Sequence, residues 1–177
     1  MVLSVSLKTT KVQAQAVNIG DISELNGSAQ ILRDKPYDAD LEFAIQSNDE
    51  AVTSNGRMAI TFLDDSTVRL TEHSTLIIDE YIYNADPNKS KMALTFGVGT
   101  ARFITGKLSK IDKKNITLKT PTANIAILGT DFTATVDELG RSLIILLPDS
   151  MGLSSGEIEV ATATGTVRLT KPFEATT

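Results

Sequence analysis

The run Arg57-Met58-Ala59-Ile60-Thr61-Phe62-Leu63-Asp64-Asp65-Ser66-Thr67-Val68-Arg69-Leu70 decides the fold class. Met58, Ile60 and Phe62 fall on one side of an extended chain, and Val68 and Leu70 resume the same period after Asp64-Asp65. Side chains of a strand alternate between faces, so a period of two means one buried face and one wet face. Aspartate is a favoured turn former. The stretch therefore reads as a β-hairpin with its tip at Asp64-Asp65.

The same period recurs along the chain. Met92, Leu94 and Phe96 show it, as do Ile116 and Leu118, Ile125 and Ile127, and Phe132, Ala134 and Val136. Leu143, Ile145 and Leu147 follow, then Ile158 and Val160, then Val167 and Leu169. Threonine fills many of the intervening positions, as suits a pleated, half-buried surface. Turn signals separate the runs: Asn26-Gly27, Asn55-Gly56, Asp86-Pro87-Asn88, Gly97-Val98-Gly99, Glu138-Leu139-Gly140, Ser155-Gly156 and Thr164-Gly165. No segment carries a helical stripe, and Asp49 to Thr53 is read as one helical turn at most. Short strands at this spacing predict an all-β fold of two facing, mostly antiparallel sheets, a sandwich or a short solenoid-like roll. Residues 17–177 are expected to form a single β domain. Residues 1–16 are expected to be an extended arm that packs on the domain or adds a strand to a neighbour.

Composition narrows the function. The chain has 177 residues, no cysteine, one histidine and a formal net charge of −5. A disulfide framework and a thiolate metal site are excluded. An acidic chain is a poor generic nucleic-acid binder, and no window reaches the ~20 apolar residues of a spanning helix. Ala14-Gln15-Ala16 fits a signal cleavage site, but the preceding region lacks a basic start and an unbroken apolar stretch.

Chemistry is hard to place on these residues. His73 has no second histidine to work with, and its neighbour Ser74 would point to the opposite face of a strand. Asp38, Asp40 and Glu42 alternate and would share a strand face, which reads as a solvated acidic edge, with calcium ligation as the alternative. Gly97-Val98-Gly99 precedes a strand pattern, not the helix a phosphate loop needs. No catalytic residue, cofactor or metal is expected. Charge is uneven: the early third is acidic, whereas Arg102, Lys107, Lys110, Lys113, Lys114 and Lys119 make the middle basic. These six are the candidate interface residues, since complementary patches steer and register an assembly. Only Phe103 is near them, and a single-strand nucleic-acid platform needs interleaved aromatics.

Three ordered pieces resemble the FecR domain family. Gly20 to Arg33 looks like its opening hairpin, and Gly56 to Leu70 like its central hairpin. Thr120-Pro121-Thr122-Ala123-Asn124-Ile125-Ala126-Ile127-Leu128-Gly129-Thr130-Asp131-Phe132 looks like its most diagnostic stretch. The motif positions are Asp64, Asp65, Thr120, Pro121, Gly129, Thr130 and Phe132, and a fold-shaping role is expected of them. Pro121 holds Thr120 extended for strand entry. Gly129 interrupts an apolar run and marks a special backbone position. Asp65 stands where the family often has glycine. Leu147 to Gly152 replaces the family's usual turn after this strand.

Leu70 to Tyr83, Gly99 to Gly106, Val136 to Pro148 and Gly156 to Val160 look, more narrowly, like FecR-like virion proteins of tailed phages of cyanobacteria. That resemblance implies a non-enzymatic structural protein of a phage particle, whose partners are other copies of itself or other virion proteins. No membrane, nucleic acid or small-molecule substrate is expected. The membrane helix and sigma-regulator segment of membrane-anchored FecR regulators are not seen, so transmembrane signalling is not expected. The alternative is an exported or periplasmic FecR-like partner-binding domain. A carbohydrate-binding β domain is a further alternative, weakened by three tyrosines and no tryptophan.

Overall fold

Alternating apolar residues can be buried only by bringing two pleated faces together. The computed structural model, described for residues 17–110 and 115–177, does so with sixteen strands and two short 3-10 turns. The arm expected over residues 1–16 lies outside the described residues.

One sheet contains β1 (Gly20–Asn26), β4 (Ala44–Ile45), β6 (Arg57–Phe62), β7 (Thr67–Leu70), part of β9 (Lys91–Ile104), β12 (Asp131–Val136), β13 (Ser142–Leu146) and β16 (Ala175–Thr176). Its order is β4-β1-β6-β7-β9-β12-β13-β16. The other sheet contains β2 (Ala29–Leu32), β3 (Pro36–Asp38), β5 (Glu50–Thr53), β8 (Thr75–Ile82), the rest of β9, β10 (Ile116–Lys119), β11 (Ala123–Leu128), β14 (Glu157–Thr162) and β15 (Gly165–Leu169). Its order is β3-β2-β5-β8-β9-β10-β11-β14-β15. Every pairing is antiparallel except β9 with β10.

The sheets face each other across one core cluster running from Ile19 to Leu169. Phe62 of the first sheet stacks on Tyr81 of the second, with ring centroids 5.2 Å apart. The all-β class with mostly antiparallel sheets is therefore observed, and the sheet is not closed into a barrel.

The hinge of the architecture is β9. Met92 to Val98 pairs with β8 in the second sheet, and Gly99 to Ile104 pairs with β7 and β12 in the first. Gly97-Val98-Gly99, read from sequence as a turn, is instead the place where one continuous strand changes sheets. Gly99 has φ +100, and a Cβ there would collide with Ser74. The outer half of β9 also serves as the crossover that lets β10 return parallel to the inner half.

Two other expectations change. Asp49 to Thr53 is not a helical turn: Glu50–Thr53 is β5, with Ala51 and Thr53 buried. Asp49 is buried beside it, bonded by Arg33 Nε at 2.6 Å. Asp38, Asp40 and Glu42 do not share a strand face. Only Asp38 is in a strand, Glu42 has φ +64, and the chain turns there.

Candidate functional site

The motif residues lie at three chain reversals, of which only the one at Gly129 to Phe132 passes from one sheet to the other. Asp64 sits fully buried at the β6–β7 hairpin. Its Oδ1 accepts from the Tyr81 hydroxyl at 3.0 Å, and its Oδ2 accepts from the Ser66 hydroxyl at 2.5 Å and from the Leu108 N–H at 3.2 Å. Burial first, then the Asp64 charge, pushes the Tyr81 phenol well above its ordinary pKa. Asp65 is exposed with φ +66, the left-handed region in which glycine is at ease and aspartate is tolerated.

The second corner holds Gly129, Thr130 and Phe132. Gly129 has φ +58, and its carbonyl lies so close to Gly156 that a Cβ on Gly156 would strike it. The Thr130 N–H donates to Thr105 Oγ1 at 2.7 Å, and Thr130 Oγ1 lies 3.0 Å from Ser155 Oγ. Phe132 is fully buried and stacks on Phe103, with centroids 5.0 Å apart. Thr120 and Pro121 form the β10–β11 turn, where Thr120 Oγ1 accepts from the Ala123 N–H at 3.0 Å. The residues form corners and turns.

The basic stretch is dispersed. Arg102 is on the outer face of the first sheet, and Lys119 is exposed on the outer face of the second. Lys107 pairs with Asp65 at 2.7 Å. The backbone of Lys110 closes a 3-10 turn, and Lys113 and Lys114 lie outside the described residues. The sheet brings Arg102 instead beside residues far away in sequence.

Strand register sets Glu24, Ala59, Arg69, Arg102 and Thr133 in one row across β1, β6, β7, β9 and β12. Like charges directly opposite on a ladder repel. Arg69 and Arg102 resolve this by turning apart, Arg69 across β6 to a carboxylate on β1 and Arg102 to one on the adjacent β12. Arg69 reaches Glu24 at 2.8 Å through Nη2 and 2.9 Å through Nη1. Arg102 Nε reaches Asp131 at 2.9 Å, and its Nη2 makes the second arm of the fork. The hydrogen bond to Asp131 is the main reason the Arg102 pKa rises above its usual value. Arg57 holds Glu72 at 3.0 Å.

These three arginines rim a cleft of about 470 Å³, whose floor is made by short side chains: Ala59, Thr71, Thr100 and Thr133. Arg69 and Arg102 are each 47% exposed, so their planar faces and remaining N–H groups are open to a ligand. A guanidinium fixed by a bidentate carboxylate loses little entropy on binding, and arginine is frequent among interface anchors. Each of the three guanidiniums is already paired with a carboxylate, so the rim as a whole is charge-balanced. Among the described residues, no group of three or more acidic or histidine side chains is arranged to hold a metal.

Sequence reasoning grouped Arg102 with its chain neighbours and did not single out Glu24, Arg57, Arg69 or Glu72. Their period-two placement on the polar face was readable. The strand order that makes them neighbours was not.

Comparison with known proteins agrees with the fold. Two solved structures of a candidate anti-sigma factor from Parabacteroides distasonis align with TM-scores of 0.50 and 0.51 at 16% identity. Each alignment covers 70% of this chain and 51% of the other, so the likeness spans about half the length of those relatives. No curated protein matches the chain. The family model described as FecR protein matches residues 49–168, from the edge of β5 through most of β15. The chain belongs to the FecR family.

Proposed function

We propose that this chain is a non-enzymatic partner-binding domain that works in an exported or periplasmic signalling setting, with the outer face of the first sheet as its docking surface. The observation that carries the reading is the cleft rimmed by Arg57, Arg69 and Arg102, two of them held in fixed forks by carboxylates. The family and the anti-sigma description of the solved neighbours support a protein as the partner. The virion placement implied by the narrower resemblance draws no support from either comparison, and the exported alternative is the better-supported one.

A photo-crosslinking residue at Thr133, inside the cleft, tests this in the producing cell. One discrete adduct is expected at Thr133 and none at Thr117, on the outer face of the other sheet. The adduct should vanish in the Arg69→Ala/Arg102→Ala double variant. Equal adducts at both positions, or an adduct indifferent to the double substitution, would overturn the reading.

A further inference from the structure

Among the described residues each sheet has two edges, and three of the four are blunted. β4 and β16 are two residues long. β3 has three residues and starts at Pro36, beside Asp34 and Lys35. Short strands, proline and charge are the usual means by which an edge avoids unwanted pairing. β15 lacks all of them. It has five residues, no proline and no lysine, and four of its five residues are exposed. Its single charge, Arg168, is turned back onto its own sheet, to Glu157 at 2.9 Å and Glu159 at 3.2 Å.

The inner face of the sheet also runs out at β15. Val167 is the ladder partner of Val160, which is only 2% exposed, yet Val167 is 46% exposed. Leu169, opposite Ile158, is buried. An added strand would cover Val167 and pair the open backbone groups.

We propose that β15 is a self-association strand that pairs antiparallel with β15 of a second copy. The strand is complementary to itself about Val167. In that register Val167 opposes Val167, which extends the inner apolar face by a β-branched pair. Gly165 opposes Leu169, so the larger side chain meets open space; nothing lies within 4 Å of where a Cβ on Gly165 would be. On the other face Thr166 opposes Arg168, and no like charges stand directly opposite. The contact is isologous, so it closes at two copies and builds no filament. It uses a different surface from the arginine cleft and does not depend on it.

The absence of cysteine gives a clean test. Directly opposed residues of an antiparallel pair have Cβ atoms ~4.5–5.5 Å apart, at the outer limit of what a disulfide spans after slight adjustment. Wild-type protein should sediment as a dimer, and Val167→Lys as a folded monomer whose melting curve no longer depends on protein concentration. Val167→Cys should give a covalent dimer on mild oxidation, much faster than Leu139→Cys, a highly exposed control. A wild-type monomer at every concentration overturns the proposal. So does a dimer that survives Val167→Lys, or a Val167→Cys that links no faster than the control. Mixed disulfides of Val167→Cys with a different protein, from a chain that is monomeric alone, would assign the edge to a foreign strand and also overturn it.

Discussion

Asp64 and Asp131 each hold other groups in place, and they do so on opposite sides of the same sheet. Asp64 faces inward at the hairpin corner, fully buried, and ties Tyr81, Ser66 and the Leu108 N–H together. Asp131 faces outward from β12 and fixes Arg102 beside the cleft. In the interior a carboxylate must have every lone pair occupied, and its removal strands the donors that were aimed at it. On the outer face the same pairing adds less stability, because water reaches the half-exposed Arg102 and competes for it. What it supplies there is orientation. One aspartate belongs to the folding of the chain and the other to the orientation of Arg102 on the proposed docking face.

The largest expected effect is at the inward position. Asp64→Ala should cost ~3–4 kcal/mol, read as a lowered urea midpoint, because several buried donors lose one acceptor. A loss below ~1 kcal/mol would erase the contrast between the two carboxylates. Gly129→Val comes next. A β-branched residue at φ +58 is expected to cost about 2 kcal/mol and reduce folding yield. Normal yield and an unchanged melting curve would remove Gly129 as a special backbone position.

Tyr81 gives the pH arm of the comparison. Its folded-state pKa is raised by burial and by Asp64. The stabilisation from this shift is complete below the unfolded pKa of ~10 and is lost as pH rises from there toward the folded value. Tyr81→Phe should lose ~1 kcal/mol near neutrality, where a hydrogen bond goes missing, and should show a flatter decline above pH ~10. Identical alkaline slopes in the two proteins would contradict the assignment.

The smallest stability effect belongs to the outward pair. Arg102→Ala should change stability by less than ~1 kcal/mol while abolishing the adduct at Thr133 when combined with Arg69→Ala. A large destabilisation would make Arg102 a folding residue and weaken the cleft as a docking surface.

Local alternation gave the strands but not always their buried face: in β13 the expected run Leu143, Ile145, Leu147 is out of phase, with Ile144 and Leu146 buried and Leu143 exposed. Met58, Ile60, Phe62, Val68 and Leu70 are all buried, as their spacing predicts. β9 was harder to read. Two glycines interrupt its pattern, and nothing local separates a turn from a strand that changes sheets. Glu50 to Thr53 also defied local reading, because its burial comes from pairing with β2 and β8. The cleft was least legible of all. Charge along the chain suggested one patch from Arg102 to Lys119, yet those two side chains emerge on different outer faces. The row from Glu24 to Thr133 exists only once five strands, of which only β6 and β7 are consecutive, have been put in order.

The shared strand β9 has a consequence for how the molecule opens. Amide exchange usually reveals units that unlock one at a time. Here the Leu94 and Phe96 amides belong to one sheet, and the Ala101 and Phe103 amides to the other, on a single uninterrupted backbone. Releasing either half frays the ladder that holds the other. Deuterium should therefore enter both halves at one common, slow rate, set by global unfolding of the domain.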